Sequence, residues 1–227
     1  MRIVMETGFY YVYLILIIGV GFFLSIKNKN KKYLILFGAA CITLGFGDGF
    51  HLIPRAIGLY TNSLDNPNAE LAKWLGVGEL ITSITTTIFY ILIYLFIHEK
   101  INKQRKTSID LIVWLLFIAR ITFCAFPQNQ WVTNNSQPGW GIFRNVPFVL
   151  LGGLVVVLAY MNLRQTKSFK LLWIVIILSF AFYLPIVILA DKYSWVGFFM
   201  IPKTVCYLWI AFMGFMEYRK IDVVETK

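Results

Sequence analysis

Asp48, His51 and Arg55 stand at i, i+3 and i+7 within one apolar stretch. A helix there puts a carboxylate, an imidazole and a guanidinium on a single face. That trio suits acid–base chemistry, with His51 poised by Asp48. Glu79, Thr82, Ser83 and Thr86 repeat the pattern at i, i+3, i+4 and i+7 in the next stretch, and Tyr90 continues the stripe. Arg120, Arg144 and Lys203 each interrupt a further apolar stretch. Arginine presents a planar fork of donors that matches phosphate and carboxylate. An ionised side chain in mid-membrane costs about 2.5–3.5 kcal/mol or more, so each of these residues is a functional candidate.

The elements that must position them follow from composition. The 227 residues are 59% hydrophobic, against the ~45–50% usual for soluble domains. The mean hydropathy is +0.71. A spanning helix needs about 20 mostly apolar residues, and seven runs qualify: 8–26, 33–59, 71–97, 109–126, 140–161, 171–190 and 196–216. The expected fold is therefore an all-α, seven-transmembrane-helix bundle forming one domain over 1–227. Arg2 is the only basic residue ahead of the first run and no small-residue cleavage site follows it, so a retained helix is expected there.

The formal charge of +10 is distributed as in a membrane protein, not a nucleic-acid binder. Lys27, Lys29, Lys31 and Lys32 follow the first run; Lys100, Lys103, Arg105 and Lys106 follow the third. Arg164, Lys167 and Lys170 follow the fifth, and Arg219, Lys220 and Lys227 the seventh. The opposite side carries only Arg2, Lys73 and Lys192. Fourteen basic residues against three predict the N-terminus outside and the C-terminus inside. The expected location is the bacterial cytoplasmic membrane.

With that orientation, the in-membrane charges all fall in the outer half. Asp48 is the deepest, about 11 residues or roughly 16 Å below its helix end. Asp110 and His98 belong to the inner edge, where water reaches. Pro54, Pro127, Pro147, Pro185 and Pro202 fall in the outer halves of five helices, where bends can open a cavity. The expectation is an outward-facing polar pocket roofed by the loop 128–140. Arg55, Arg120, Arg144 and Lys203 against Asp48 and Glu79 leave a surplus of two positive charges there. An anionic partner such as a phosphorylated lipid would balance it.

Other motifs carry less. Cys41, Cys124 and Cys206 lie singly in apolar runs and read as small hydrophobes. Two histidines without paired cysteines support no Cys/His zinc site, and neither metal nor cofactor is expected. The hydroxyls from Thr82 to Thr87 read mainly as close helix packing. The alternative reading of the Asp48–His51–Arg55 group is a buried ion pair that fixes helix packing, with Glu79 to Arg120 as a second pair. No internal repeat marks an inverted-repeat transporter.

Several segments resemble small multi-pass membrane proteins of Gram-positive bacteria: Gly47-Asp48-Gly49-Phe50-His51-Leu52-Ile53-Pro54-Arg55, Ile81-Thr82-Ser83-Ile84-Thr85, Pro127-Gln128-Asn129-Gln130-Trp131, Arg144-Asn145-Val146-Pro147-Phe148 and Met200-Ile201-Pro202-Lys203-Thr204. That resemblance covers most of the chain and implies no particular activity. The Gly-Asp element with its following proline is also similar to one in lysoplasmalogenase-type membrane hydrolases, which have a further helix and a second aspartate element not found here.

The functional expectation is a net-basic intramembrane pocket that binds an anionic lipid or amphiphile. Arg55, Arg120, Arg144, Asn145, Lys203 and Thr82 would hold it. In a catalytic version Asp48 and Glu79 act as acid and base, and His51 shuttles protons. The alternatives are a sensor for an external ligand and a small-solute transporter. The short stretch after Met216 weighs against a sensor acting alone. The sparse polar residues beyond Thr87, Tyr90 and Tyr94 weigh against transport. The oligomeric state is not legible.

Overall fold

The structure is a computed structural model that describes residues 2–27, 30–64, 66–102, 104–137, 139–189 and 193–225. Of the residues named above, Lys29, Lys103, Lys192, Lys227 and Ala190 lie outside the described residues. Seven α-helices follow in chain order: α1 (Arg2–Ile26), α2 (Lys32–Tyr60), α3 (Ala69–Ile101), α4 (Thr107–Ala125), α5 (Trp140–Leu163), α6 (Leu172–Leu189) and α7 (Met200–Glu225). Short 3₁₀ turns, Pro127–Asn129 and Ser194–Phe199, precede α5 and α7. All seven helices are long and apolar enough to cross a membrane.

Helix ends follow local chemistry. Asn68 caps α3 by accepting from the Leu71 N–H at 2.8 Å. Asn102 ends the same helix in the left-handed conformation. Phe126 is extended, as the residue before a proline tends to be, and α4 stops there. Gly139 takes φ +76° just before α5, a backbone shape that glycine adopts without strain.

The prolines divide into two sets. Pro54, Pro147 and Pro185 lie inside helices. Pro127 instead opens the turn after α4, and Pro202 sits in the first turn of α7, where a missing N–H removes no intrahelical bond. Three of the five prolines therefore lie within a helix rather than at its end.

Helices α1, α2, α3, α5, α6 and α7 form a ring in which each packs on the next, and α7 closes it against α1. Helix α4 lies outside the ring, against α3 and α5. Its Leu111, Ile112, Trp114, Leu115 and Ile118 are exposed, an apolar strip suited to lipid rather than water.

The tightest crossing is that of α2 and α3. Pro54 offers no N–H to the Phe50 carbonyl one turn earlier, and Gly78 of α3 packs directly on that carbonyl. A Cβ at Gly78 would also lie 2.9 Å from the Cα of His51. Thr82 donates to the Gly47 carbonyl across the same crossing at 2.8 Å. Thr85, Thr86 and Thr87 donate instead to their own helix, to Ile81, Thr82 and Ser83. Small and hydroxyl residues here let the backbones approach, as membrane helices commonly do.

A layer of aromatic rings fills the ring of helices from Tyr90 down to Phe169 of the 164–171 loop. Tyr90 meets Phe148 at 5.4 Å and Phe180 at 5.5 Å; Phe96 meets Phe37 at 4.9 Å and Phe169 at 4.8 Å. At the end of the bundle bearing the 102–106 and 164–171 loops, Lys100 pairs with Glu217 and lies 4.2 Å over the Tyr33 ring. His98 is buried against Tyr94 at 4.9 Å rather than exposed to water. Asp110 accepts from Tyr94 and lies 3.7 Å from Arg105.

Candidate functional site

On the other side of the aromatic layer, the bundle forms a cavity of about 1350 Å³. Every candidate residue lines it: Asp48, His51 and Arg55 from α2, Glu79 and Thr82 from α3, Arg120 from α4, Arg144 and Asn145 from α5, and Lys203 from α7. The segment 129–139 covers it through Asn129, Trp131, Asn134, Asn135, Ser136 and Gly139; Pro138 lies outside the described residues. Apolar walls come from Leu52, Leu59, Leu75, Phe148, Ile186 and Val187.

Each cation has a different environment. The Arg55 guanidinium lies 3.3 Å from the Glu6 carboxylate and donates to the Tyr10 hydroxyl at 3.1 Å, while Tyr10 donates to Glu6. Glu6 is buried in α1, which starts six residues ahead of the expected run. Arg144 pairs with Glu79, donates to the Asn129 side-chain oxygen at 2.9 Å and lies 4.3 Å from the Trp131 ring centre. The Glu79–Arg120 ion pair of the alternative, structural reading does not form; Glu79 pairs with Arg144 on α5, which faces α3 inside the ring.

Lys203 lies over the rings of Tyr183 and Tyr207, at 4.8 and 5.5 Å. It lines the same cavity as Asp48, although no ion pair within 4.0 Å forms between them. Asp48 is 5% exposed and accepts from Tyr13 at 2.5 Å. Tyr183 donates to the Asn145 side-chain oxygen at 2.6 Å, and Asn145 donates to Gly141. Tyr183 thus touches both the Lys203 ammonium and Asn145.

Arg120 is the exception. It is 1% exposed, donates to the Arg144 carbonyl and lies 5.4 Å from the Phe148 ring centre. No carboxylate pairs with it among the described residues, and its Nε has no hydrogen-bond partner. Both ring nitrogens of His51 are likewise buried and without a hydrogen-bond partner. Four cations line the cavity or its edge, against three carboxylates once Glu6 is included. The surplus is therefore one positive charge, not two.

The covering segment is held by side chains that sequence reasoning did not single out as site residues. The Asn129 amide donates to the carbonyls of Phe123, Cys124 and Phe126, the last turn of α4 and its exit. Trp131 donates to the Cys124 carbonyl at 2.8 Å. Those carbonyls are the ones a helix C-terminus leaves unbonded. Asn129 therefore ties the cover to α4 with its amide and to Arg144 with its oxygen.

Thr82 lines the cavity, but its hydroxyl proton goes to Gly47. The three cysteines are free and buried. Among the described residues, no group of three or more His, Cys, Asp or Glu side chains converges in a way that would hold a metal ion. No family model, curated protein or solved structure matches the chain.

Proposed function

We propose that the chain is a multi-pass protein of the bacterial cytoplasmic membrane whose cavity opens outward and binds an anionic amphiphile. The head group lies at Arg120 and Arg144, and the chain lies along the apolar wall. The observation that carries this reading is Arg120, a cavity-lining guanidinium buried without a counter-ion among the described residues. Burying an unpaired charge carries a penalty of several kcal/mol, which a bound anion removes. The outward direction follows from the fourteen-to-three distribution of basic residues.

The size and walls of the cavity favour an amphiphile over a bare ion. Ligand sites for drug-sized molecules occupy about 300–1,000 Å³, and this cavity exceeds that range. Phosphate or a small carboxylate would leave Ile186, Val187 and Leu75 against empty space. Transport is less well supported, since Tyr90, Phe96 and their neighbours fill the path beneath the cavity. Turnover is also less well supported than binding. Glu79 is engaged by Arg144 and Asp48 by Tyr13, which leaves His51 as the proposed acid–base residue with free nitrogens.

A thermal-shift titration of delipidated protein tests the reading. A ligand at about 100 times its Kd stabilises a folded protein by about 2.7 kcal/mol. Single-chain anionic amphiphiles should raise the melting temperature saturably, and zwitterionic ones of equal chain length should not. Equal shifts from both would show that the head-group charge is not what the cavity reads.

A further inference from the structure

The arrangement of charges points beyond a general taste for anions, and this step rests on the reading of the cavity as an amphiphile site. Two of the four cations are ion-paired, Arg55 with Glu6 and Arg144 with Glu79. Lys203 forms no ion pair but shares the cavity with Asp48, and Arg120 has no ion-pair partner among the described residues. Four cations thus stand against three carboxylates. A single negative charge placed at Arg120 therefore leaves the cavity neutral.

A second negative charge has nowhere to go. Placed toward α3, it meets Glu79, whose side chain is 42% exposed beside Arg144. Placed toward α2, it meets Asp48, which lines the same cavity. In a cavity walled by apolar side chains, like charges repel far more strongly than in water. We propose that the occupant is a monoanion, a carboxylate or a phosphodiester, and that Asp48 and Glu79 exclude dianionic phosphomonoesters. Two carboxylates at the edge of a cation site then act as a filter for charge state rather than as a catalytic pair.

The test compares lysophosphatidylglycerol, lysophosphatidic acid and oleate, each doped into nanodiscs of neutral phosphatidylcholine that hold the full-length protein at pH 8. A phosphomonoester, with a second pKa near 6, carries about two negative charges there. The wild type should bind lysophosphatidylglycerol or oleate at least tenfold more tightly than lysophosphatidic acid. Whichever of the two monoanions binds more tightly identifies the head-group chemistry. Asp48→Asn removes one negative charge and should erase or reverse the preference. Glu79→Gln makes the same change at the other carboxylate and serves if the first variant does not fold. Tighter binding of lysophosphatidic acid by the wild type would overturn the filter and leave the amphiphile site standing. A wild-type preference that neither variant shifts would also overturn it. Failure of all three probes to bind would instead overturn the amphiphile site itself.

Discussion

Arg120→Gln is expected to weaken binding of an anionic amphiphile by about 10- to 100-fold, since hydrogen bonds to charged groups contribute roughly 1.5–3 kcal/mol. The same change should leave the ligand-free protein at least as stable as the wild type. Arg120 donates to one backbone carbonyl and faces one aromatic ring, and no carboxylate offsets its charge among the described residues. Glutamine keeps a donor for the Arg144 carbonyl and removes the buried charge. Arg144→Gln is the contrast. It strips Glu79 and Asn129 of their partner and loosens the cover that Asn129 ties to α4. Its ligand-free stability should fall as well as its affinity. Titrations and thermal unfolding of the two variants, side by side, check this. A large stability loss in Arg120→Gln without ligand would make Arg120 a structural residue.

The second large effect concerns the α2–α3 crossing. Gly78→Val is expected to destabilise the bundle by about 3 kcal/mol, at the upper end for overpacked sites. The atoms in its way, the Phe50 carbonyl and the His51 Cα, belong to a helix backbone and cannot rotate aside. Relief requires α2 and α3 to separate, which also moves His51 and Asp48 relative to Glu79. For a chain of this length the loss corresponds to roughly 6–12 °C in melting temperature. Gly153→Val is the control, because no atom lies within 4 Å of a Cβ built there. Thermal unfolding of both variants in the same detergent decides the matter. Equal melting temperatures would mean that the crossing accommodates a side chain.

Some of this was legible in the residues and some was not. The convergence of Asp48, His51, Arg55, Glu79, Arg120, Arg144 and Lys203 was legible because charge is expensive in apolar helices and all seven fell in the half of their runs away from the Lys- and Arg-rich loops. The pairing was not. Glu79 reaches Arg144 rather than Arg120 because α4 stands outside the ring, and hydropathy does not distinguish a ring helix from a peripheral one. Glu6 was missed for a related reason. The apolar run starts at Gly8, but helical hydrogen bonding continues ahead of it, and the signal was the spacing of Glu6 and Tyr10 at i and i+4. Asn129 and Trp131 belong to a segment that folds back on the end of α4, a contact with no period to betray it. Their one clue was a Pro-Gln-Asn-Gln-Trp run following the last apolar turn.

The most direct test of the central claim is native mass spectrometry of the protein extracted gently from its own membrane. The wild type should carry a specific anionic amphiphile as an added mass, and the Arg120→Gln plus Arg144→Gln variant should have lost it. A wild type that carries no such molecule, or a double variant that retains it, would contradict an anion-binding cavity.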